Sequence, residues 1–253
     1  MAAQALPITN ELADEINSYA LKNRKPTDWQ IRLLKNKANK LRGKIPESDF
    51  YVFQGMIASL ERDIGMLSIH FQTGIKLDPS HFHTQYNYLV ALNNAGAYSN
   101  ALAHGKLMLT EFPGQSNEIL SWLVKCASGA CRMREALVFL SQLSYPSKNE
   151  NYQLAKERIA IFEASGLNDD VAERLQSIVS NLIQKNNLYH TNPSIGIINS
   201  CIHYHIYVDL PIEDIFEINW QLANELVENT ENTYSDTILF EFESIDVLEE
   251  SLA

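Results

Sequence analysis

Four prolines recur at a nearly constant interval in the N-terminal part of the chain. They are Pro46, Pro79, Pro113 and Pro146, with spacings of 33, 34 and 33 residues. A period of about 34 residues is typical of arrays whose repeated unit contains two helices. Because proline cannot continue a helix, a proline after each second helix ends it. The interval therefore predicts a succession of helical hairpins.

The segments between the prolines have the periodicity of helices. In one unit the residues that share helix faces are Tyr51, Gln54, Gly55 and Ala58, followed by Ile64, Leu67, Ser68 and Phe71. Small residues recur where two helices must approach closely, and Ala101, Ala136 and Ala172 are spaced 35 and 36 residues apart. Two capping boxes mark predicted helix starts, Thr27 with Gln30 and Ser147 with Glu150.

These residues resemble the tetratricopeptide repeat over residues 8–185. The best match is 48–81, with Tyr51 at the usual Trp position, Gly55 at the close-contact glycine and Phe71 at the late aromatic. The next unit keeps Gly96, Tyr98, Ala101 and Pro113, and the units after it keep fewer of the signature residues. The resemblance implies a mostly α protein, in which residues 1–190 form a right-handed solenoid of about five helical hairpins.

The resemblance also implies a concave groove that is lined by the first helix of each unit and holds a peptide or a partner helix. The implied partner-binding residues are Val52, Met56, His83, Tyr86, Val90, Asn93, Asn94, Leu120 and Val124. None of them is Lys or Arg, so a clamp for a C-terminal carboxylate is not expected. Apolar, aromatic and amide groups suit an amphipathic helix or an extended segment. Alternatively, several of these side chains belong to the core between repeats, because groove and core differ by one helical position.

The last sixty or so residues change from helical to alternating periodicity. Cys201 to Val208 alternates with period two and places Ile202, Tyr204, Ile206 and Val208 on one face. A second alternating run from Thr237 to Glu243 points Ile238, Phe240 and Phe242 inward. Between them Pro211 opens a helix that runs to about Glu228, with an apolar stripe of Ile212, Ile215, Phe216, Leu222, Ala223, Leu226 and Val227.

Strand, helix and strand in this order form a parallel crossover unit. The sequence therefore predicts a small β-α-β module over residues 191–253, beside which 194–199 is either a third strand or part of a helix. The open edges of so small a sheet invite pairing, so self-association through them is one expectation.

Charge is distributed unevenly along the chain, whose net charge is −11. Residues 22–44 contain nine basic residues and one acid, while residues 186–253 contain thirteen acids and neither Lys nor Arg. Such a division indicates charged partners or two modules with separate tasks, or two solvated faces. In the basic segment Ile31, Leu34, Ala38 and Leu41 form the buried stripe of an amphipathic helix, which makes Arg32, Lys35, Lys37 and Lys40 its solvated surface.

No motif predicts catalysis or a cofactor, and no metal ligand is assigned. Cys201, His203, His205 and Asp209 alternate along the first strand, but the sequence offers no second cluster to close a metal site. Cys126, Cys131 and Cys201 are an odd number without a CxxC pair, which indicates free thiols in a reducing cytoplasm. No run of residues is long and apolar enough to span a bilayer.

The sequence therefore predicts a cytoplasmic, non-catalytic interaction scaffold of the adaptor or chaperone-like kind, which binds a segment of a protein partner in its groove. One alternative is an inhibitor or neutralising partner, whose acidic C-terminal module covers a basic surface of a nucleic-acid enzyme or toxin. Another is a regulator that contacts nucleic acid through the basic N-terminal hairpin. This last hypothesis ranks third, because no aromatic residues interleave with the basic ones for base stacking.

Overall fold

The computed structural model describes residues 5–20, 25–144, 150–231 and 234–247. The helices in these residues are α1 (Ala5–Ala20), α2 (Asp28–Leu41), α3 (Glu47–Leu60), α4 (Ile64–Leu77), α5 (Phe82–Asn94), α6 (Tyr98–Glu111), α7 (Ser116–Gly129), α8 (Met133–Gln142), α9 (Glu150–Ser165), α10 (Asp169–Lys185) and α11 (Ile212–Asn229). The strands are β1 (Ser194–Ile198), β2 (Cys201–Val208) and β3 (Ile238–Ser244). The prediction of a mostly helical chain with a small C-terminal sheet is confirmed.

The prolines stand where the period predicts them. Pro46, Pro79 and Pro113 follow the ends of α2, α4 and α6 respectively. Pro146, together with the capping box predicted at Ser147, lies outside the described residues. Within the described residues, a proline therefore follows every second helix from α2 to α6, as the proline period predicts.

The chain divides into two compact units, residues 1–104 and 105–253. In the first unit the stripe predicted for α2 is buried, as Ile31, Leu34, Ala38 and Leu41 pack with residues of α1 and α3. The predicted capping box at Thr27 and Gln30 is present at the start of α2. Two basic side chains of α2 form ion pairs, Lys35 with Glu61 at 2.8 Å and Lys37 with Glu15 at 2.6 Å. This part of the basic segment is therefore partly neutralised.

The hairpin of α3 and α4 depends on a close contact at Gly55. A Cβ added to this glycine would lie 2.4 Å from Cδ2 of Phe71, a distance that real Cβ atoms do not adopt. Asp63 caps α4 by accepting a hydrogen bond of 2.9 Å from the amide of Met66. Helix α3 also meets α5, where the hydroxyl of Ser59 donates to the carbonyl of Ala91 at 3.3 Å. The small residue at position 55 therefore serves helix packing.

In the second unit the start of α8 is capped by a residue from another helix. The buried carboxylate of Asp169, at the beginning of α10, accepts hydrogen bonds from the amides of Arg134 and Glu135 at 3.2 and 3.1 Å. These amides belong to the first turn of α8, which has no partners for them within the helix. An ion-pair network reinforces the junction, since Arg132 contacts Glu135 and Glu173, each at 2.6 Å.

The sheet has the strand order β1-β2-β3. Strands β2 and β3 are parallel and joined through α11, so the predicted crossover unit is confirmed. The residues predicted to face inward on both strands are buried. The segment that the sequence left undecided is β1, which pairs antiparallel with β2.

One hydrophobic core joins this sheet to α8, α9 and α10. It contains Met133, Phe162, Leu175, Val179, Ile202, Tyr204, Ile218, Phe240 and Phe242, among others. Two polar contacts reinforce it, because the hydroxyl of Tyr204 donates to the carbonyl of Ser128 and the guanidinium of Arg158 donates to the carbonyl of Ile195 at 2.7 Å. The predicted boundary near residue 190 thus lies inside the second unit, where the module shares its core with the preceding helices.

Candidate functional site

The predicted partner-binding residues of the first unit differ in exposure. Val52 and Asn93 are buried in the helix packing. The other five are accessible: His83 is exposed, and Met56, Tyr86, Val90 and Asn94 are half-buried. The accessible set therefore lies on two helices, α3 and α5.

Aromatic rings cluster at the start of α5. The ring of Phe82 lies 5.6 Å from that of His83 and 5.4 Å from that of Tyr86, measured between centroids. His81 has a local role, because its Nδ1 is hydrogen-bonded to the hydroxyl of Thr84 at 2.8 Å. These rings make the beginning of α5 the most aromatic part of the predicted surface.

The two remaining predicted residues lie on α7 of the second unit. Leu120 is buried and Val124 is half-buried. Burial makes Leu120 a packing residue of α7, so it is not accessible to a partner. A partner-binding role for the accessible residues stays a prediction.

Helix α11 exposes a row of large apolar side chains, of which three belong to the apolar stripe predicted from the sequence and the fourth, Trp220, does not. Ile212, Phe216, Trp220 and Val227 are 57%, 75%, 57% and 67% exposed. The face that packs inward is a different one, centred on the buried Ile218 and Leu222. The predicted apolar stripe is therefore covered only in part: Leu222 is buried in the core, whereas Ile212, Phe216 and Val227 are exposed.

Beside this row an open groove runs between α11 and the edge strand β3. Its volume is about 370 Å3, and its walls include Leu222, Leu226, Val227, Leu239 and Phe240. The side-chain amide of Asn219 pairs with β3, because it accepts from the amide of Phe242 at 2.8 Å and donates to its carbonyl at 2.9 Å. A side chain thus takes the place of a neighbouring strand at this position, as is common at sheet edges.

The surroundings of the groove are acidic. Helix α11 carries Glu213, Asp214, Glu217, Glu225 and Glu228, and β3 carries Glu241 and Glu243. No Lys or Arg follows Lys185 in the sequence. Lys185 itself reaches α11, where it pairs with Glu225 at 3.0 Å. An apolar row bordered by acids is the combination that distinguishes this part of the second unit.

Burial raises the pKa of the cysteine thiols. Cys126 and Cys131 are buried free thiols, and burial raises the pKa of Cys126 to about 12. Cys201 is half-buried, and burial raises its pKa as well. Thiols that stay protonated are poor nucleophiles. The prediction that the three cysteines form no disulfide framework agrees with the structure.

No protein-family profile, no curated protein and no solved structure matches this chain. Among the described residues, none of the helices has the length and apolar character that crossing a membrane requires.

Proposed function

We propose that this protein is a non-catalytic binding protein whose main contact surface is the exposed apolar row of α11 together with the α11–β3 groove. The observation that carries this proposal is the exposure of Phe216 and Trp220, at 75% and 57%, on the same helix face. Large apolar side chains exposed in a contiguous row are typical of protein-interaction sites. Aromatic anchors such as these contribute most of the binding energy in many interfaces.

The acidic residues around this surface indicate the kind of partner that it can bind. The row is bordered by acids and by no Lys or Arg of residues 186–253. A second copy of the same surface would bring like charges together, whereas a segment with alternating apolar and basic residues would complement both features. The proposed occupant is therefore an amphipathic, basic segment of another protein. This function combines the interaction scaffold with the neutralising partner that the acidic module suggests.

The direct test uses a labelled peptide of leucine and lysine with helical amphipathic spacing, and fluorescence anisotropy on the full chain. We expect the peptide to bind, and a sequence-scrambled peptide of the same composition to bind at least tenfold more weakly. A tenfold difference in affinity corresponds to about 1.4 kcal/mol. Affinity should also fall as salt rises, since the Debye length shrinks from about 10 Å at 0.1 M to about 3 Å at 1 M.

Matched variants locate the site. Phe216→Asp should abolish the preference for the amphipathic peptide. Trp29→Ser removes another largely exposed aromatic residue, from α2 of the first unit, and should change nothing. Equal binding of the scrambled peptide would mean that charge alone attracts it, and unchanged binding to Phe216→Asp would remove α11 from the interface. Either result contradicts the proposal.

A second binding surface is favoured by the accessible residues on α3 and α5. Met56, Tyr86 and Val90 are half-buried rather than buried, and α3 and α5 pack against each other. We propose this face as a groove of a tetratricopeptide-like solenoid, and its lack of basic side chains suits an uncharged apolar segment. Val90→Asp should then weaken a salt-insensitive interaction. Comparing the two variants distinguishes the two surfaces. A ligand of the α3–α5 face should be lost by Val90→Asp and still bind to Phe216→Asp.

A further inference from the structure

The parallel pairing of β2 and β3 collects ionisable side chains on the sheet face that points away from the core. The buried positions of the two strands are even-numbered, so the odd-numbered ones share the other face. His205 stands directly opposite Glu241, and Glu243 follows two residues later on the same strand face. The second cluster, which the sequence did not offer, is thus supplied by β3.

We propose that this face binds one divalent transition-metal ion through Nδ1 of His205 and one carboxylate oxygen each of Glu241 and Glu243. Nδ1 of His205 is hydrogen-bonded to Oε1 of Glu243 and lies 4.0 Å from Oε2 of Glu241. The three ligand atoms all lie within 4.8 Å of one another. Bonds of about 2.0–2.2 Å to zinc place the ligands of a tetrahedral site about 3.4 Å apart. A separation of that size lies within the 4.8 Å spread of the three ligand atoms.

The electrostatics of the face favour a cation. Glu241 and Glu243 lie on the same side of one strand, and the last basic side chain before them in the sequence, Lys185, pairs with Glu225. Two neighbouring carboxylates repel each other when both are ionised. A bound cation would neutralise both carboxylates at once.

The site is sheltered and still accessible. The side chains of His205 and Glu243 are 22% and 24% exposed, and that of Glu241 is 46% exposed. Three protein ligands leave at least one coordination position to water, as in zinc sites that are not purely structural. A stable but exchangeable ion is therefore expected.

The ligand set indicates which cation binds. Imidazole suits zinc, copper, nickel and iron, whereas calcium and magnesium prefer oxygen ligands alone. His203 stacks on His205 with ring centroids 5.7 Å apart, and it lies outside the group within 4.8 Å. Cys201 is farther along the strand, with its thiol directed to the carbonyls of Ile202 and Ser235. The site is thus one nitrogen and two oxygens, which suits zinc over calcium.

An ion held in this way bridges β2 and β3. It would add a link between two strands that belong to the same core as α9 and α10. Because an ion that binds only the folded state stabilises it, thermal unfolding should shift to higher temperature as zinc is added. The site offers a means by which metal supply controls the stability of the C-terminal module.

The test is calorimetric titration of the metal-free full chain with Zn²⁺, together with thermal unfolding. We expect one tight site and a rise in the unfolding temperature. Glu241→Gln, Glu243→Gln and His205→Ala should each weaken that site at least about tenfold, the lower end of the losses seen when metal surroundings are altered. Cys201→Ser and His83→Ala are matched controls that remove other potential zinc ligands and should leave the site intact.

Circular dichroism ensures that each variant is folded, and the isosteric glutamine variants keep the test valid if His205→Ala does not fold. Unchanged zinc affinity in both glutamine variants would overturn the proposal. So would equal binding of Mg²⁺ or Ca²⁺ that persists in His205→Ala, because it would reveal a carboxylate site without the histidine.

Discussion

Helices α2 and α11 are both amphipathic and strongly charged, yet they use their charge differently. The apolar stripe of α2 is fully buried, and Lys35 and Lys37 form ion pairs with Glu61 and Glu15. Helix α11 buries only part of its apolar surface and leaves Phe216 and Trp220 in solvent. The two helices therefore differ in how much of their apolar surface the fold covers. The contact surface proposed on α11 rests on that difference and not on charge alone.

The largest expected effect contrasts one apolar residue from each helix. Leu34 of α2 is fully buried, so Leu34→Ala should lower the free energy of unfolding by about 2–5 kcal/mol. Phe216 of α11 is largely exposed, and Phe216→Ala should change it by no more than about 0.5 kcal/mol. Urea denaturation of both variants measures the difference. A large loss in Phe216→Ala would mean that this residue packs within the fold and does not await a partner.

A smaller effect is expected at the hairpin next to α2. Gly55→Leu places a side chain against Phe71, where even a Cβ has no room, and overpacking of this kind costs about 1–3 kcal/mol. Gly114→Ala is the matched control, because no atom lies within 4 Å of its added Cβ. Equal unfolding temperatures for Gly55→Leu and the unchanged protein would contradict the close packing of α3 on α4.

The third prediction compares an ion-paired acid of the second unit with an exposed one. Burial tends to raise the pKa of Glu135, but hydrogen bonds and charges from Lys106 and Arg132 outweigh it, and the pKa lies below its ordinary value. A lowered pKa contributes stability above the pKa of the unfolded chain, about 4.3, and that stability is lost as pH falls through the folded value. Glu135→Gln should therefore flatten the acid side of the stability profile, with a change on the order of 1 kcal/mol at neutral pH.

Glu217 of α11 is the comparison, since it is exposed and has only a 3.3 Å hydrogen bond from Gln221. Glu217→Gln should change the free energy of unfolding by no more than about 0.5 kcal/mol, because substitutions at exposed surface positions usually have small effects. Denaturation midpoints measured from neutral to acidic pH separate the two variants. Identical profiles for the two variants would mean that the ion pairs of Glu135 contribute no more to stability than the exposed side chain of Glu217.

The smallest expected effect is that of zinc on the affinity for the basic peptide. Glu241 belongs both to the proposed metal site and to the wall of the α11–β3 groove. A bound ion would lower the negative charge of that wall, so zinc should weaken binding of the leucine–lysine peptide modestly, by about a few-fold. Anisotropy titrations with and without zinc measure this. In Glu243→Gln the same effect should require at least about tenfold more zinc.

The structural features that depend on local sequence patterns were predictable from the sequence. The stripe of α2, the capping box at Thr27, the alternation along β2 and the helix ends before Pro46, Pro79 and Pro113 are all present. Each depends on residues a few positions apart, where helix and strand periodicity dominates. The parallel crossover was predictable too, because strand, helix and strand in succession favour that topology. The solenoid arrangement and the groove stay predictions.

By itself the sequence determined most of the helices, the strands β2 and β3 and many of their apolar positions, and it shows that no Lys or Arg follows Lys185. Only the tertiary structure decided which apolar faces are covered, and so left Phe216 and Trp220 in solvent. It also brought Glu241 opposite His205, which lies 36 positions earlier in the chain. The physical reason is that periodicity acts along the chain, whereas coverage and strand register depend on packing between segments that are distant in sequence.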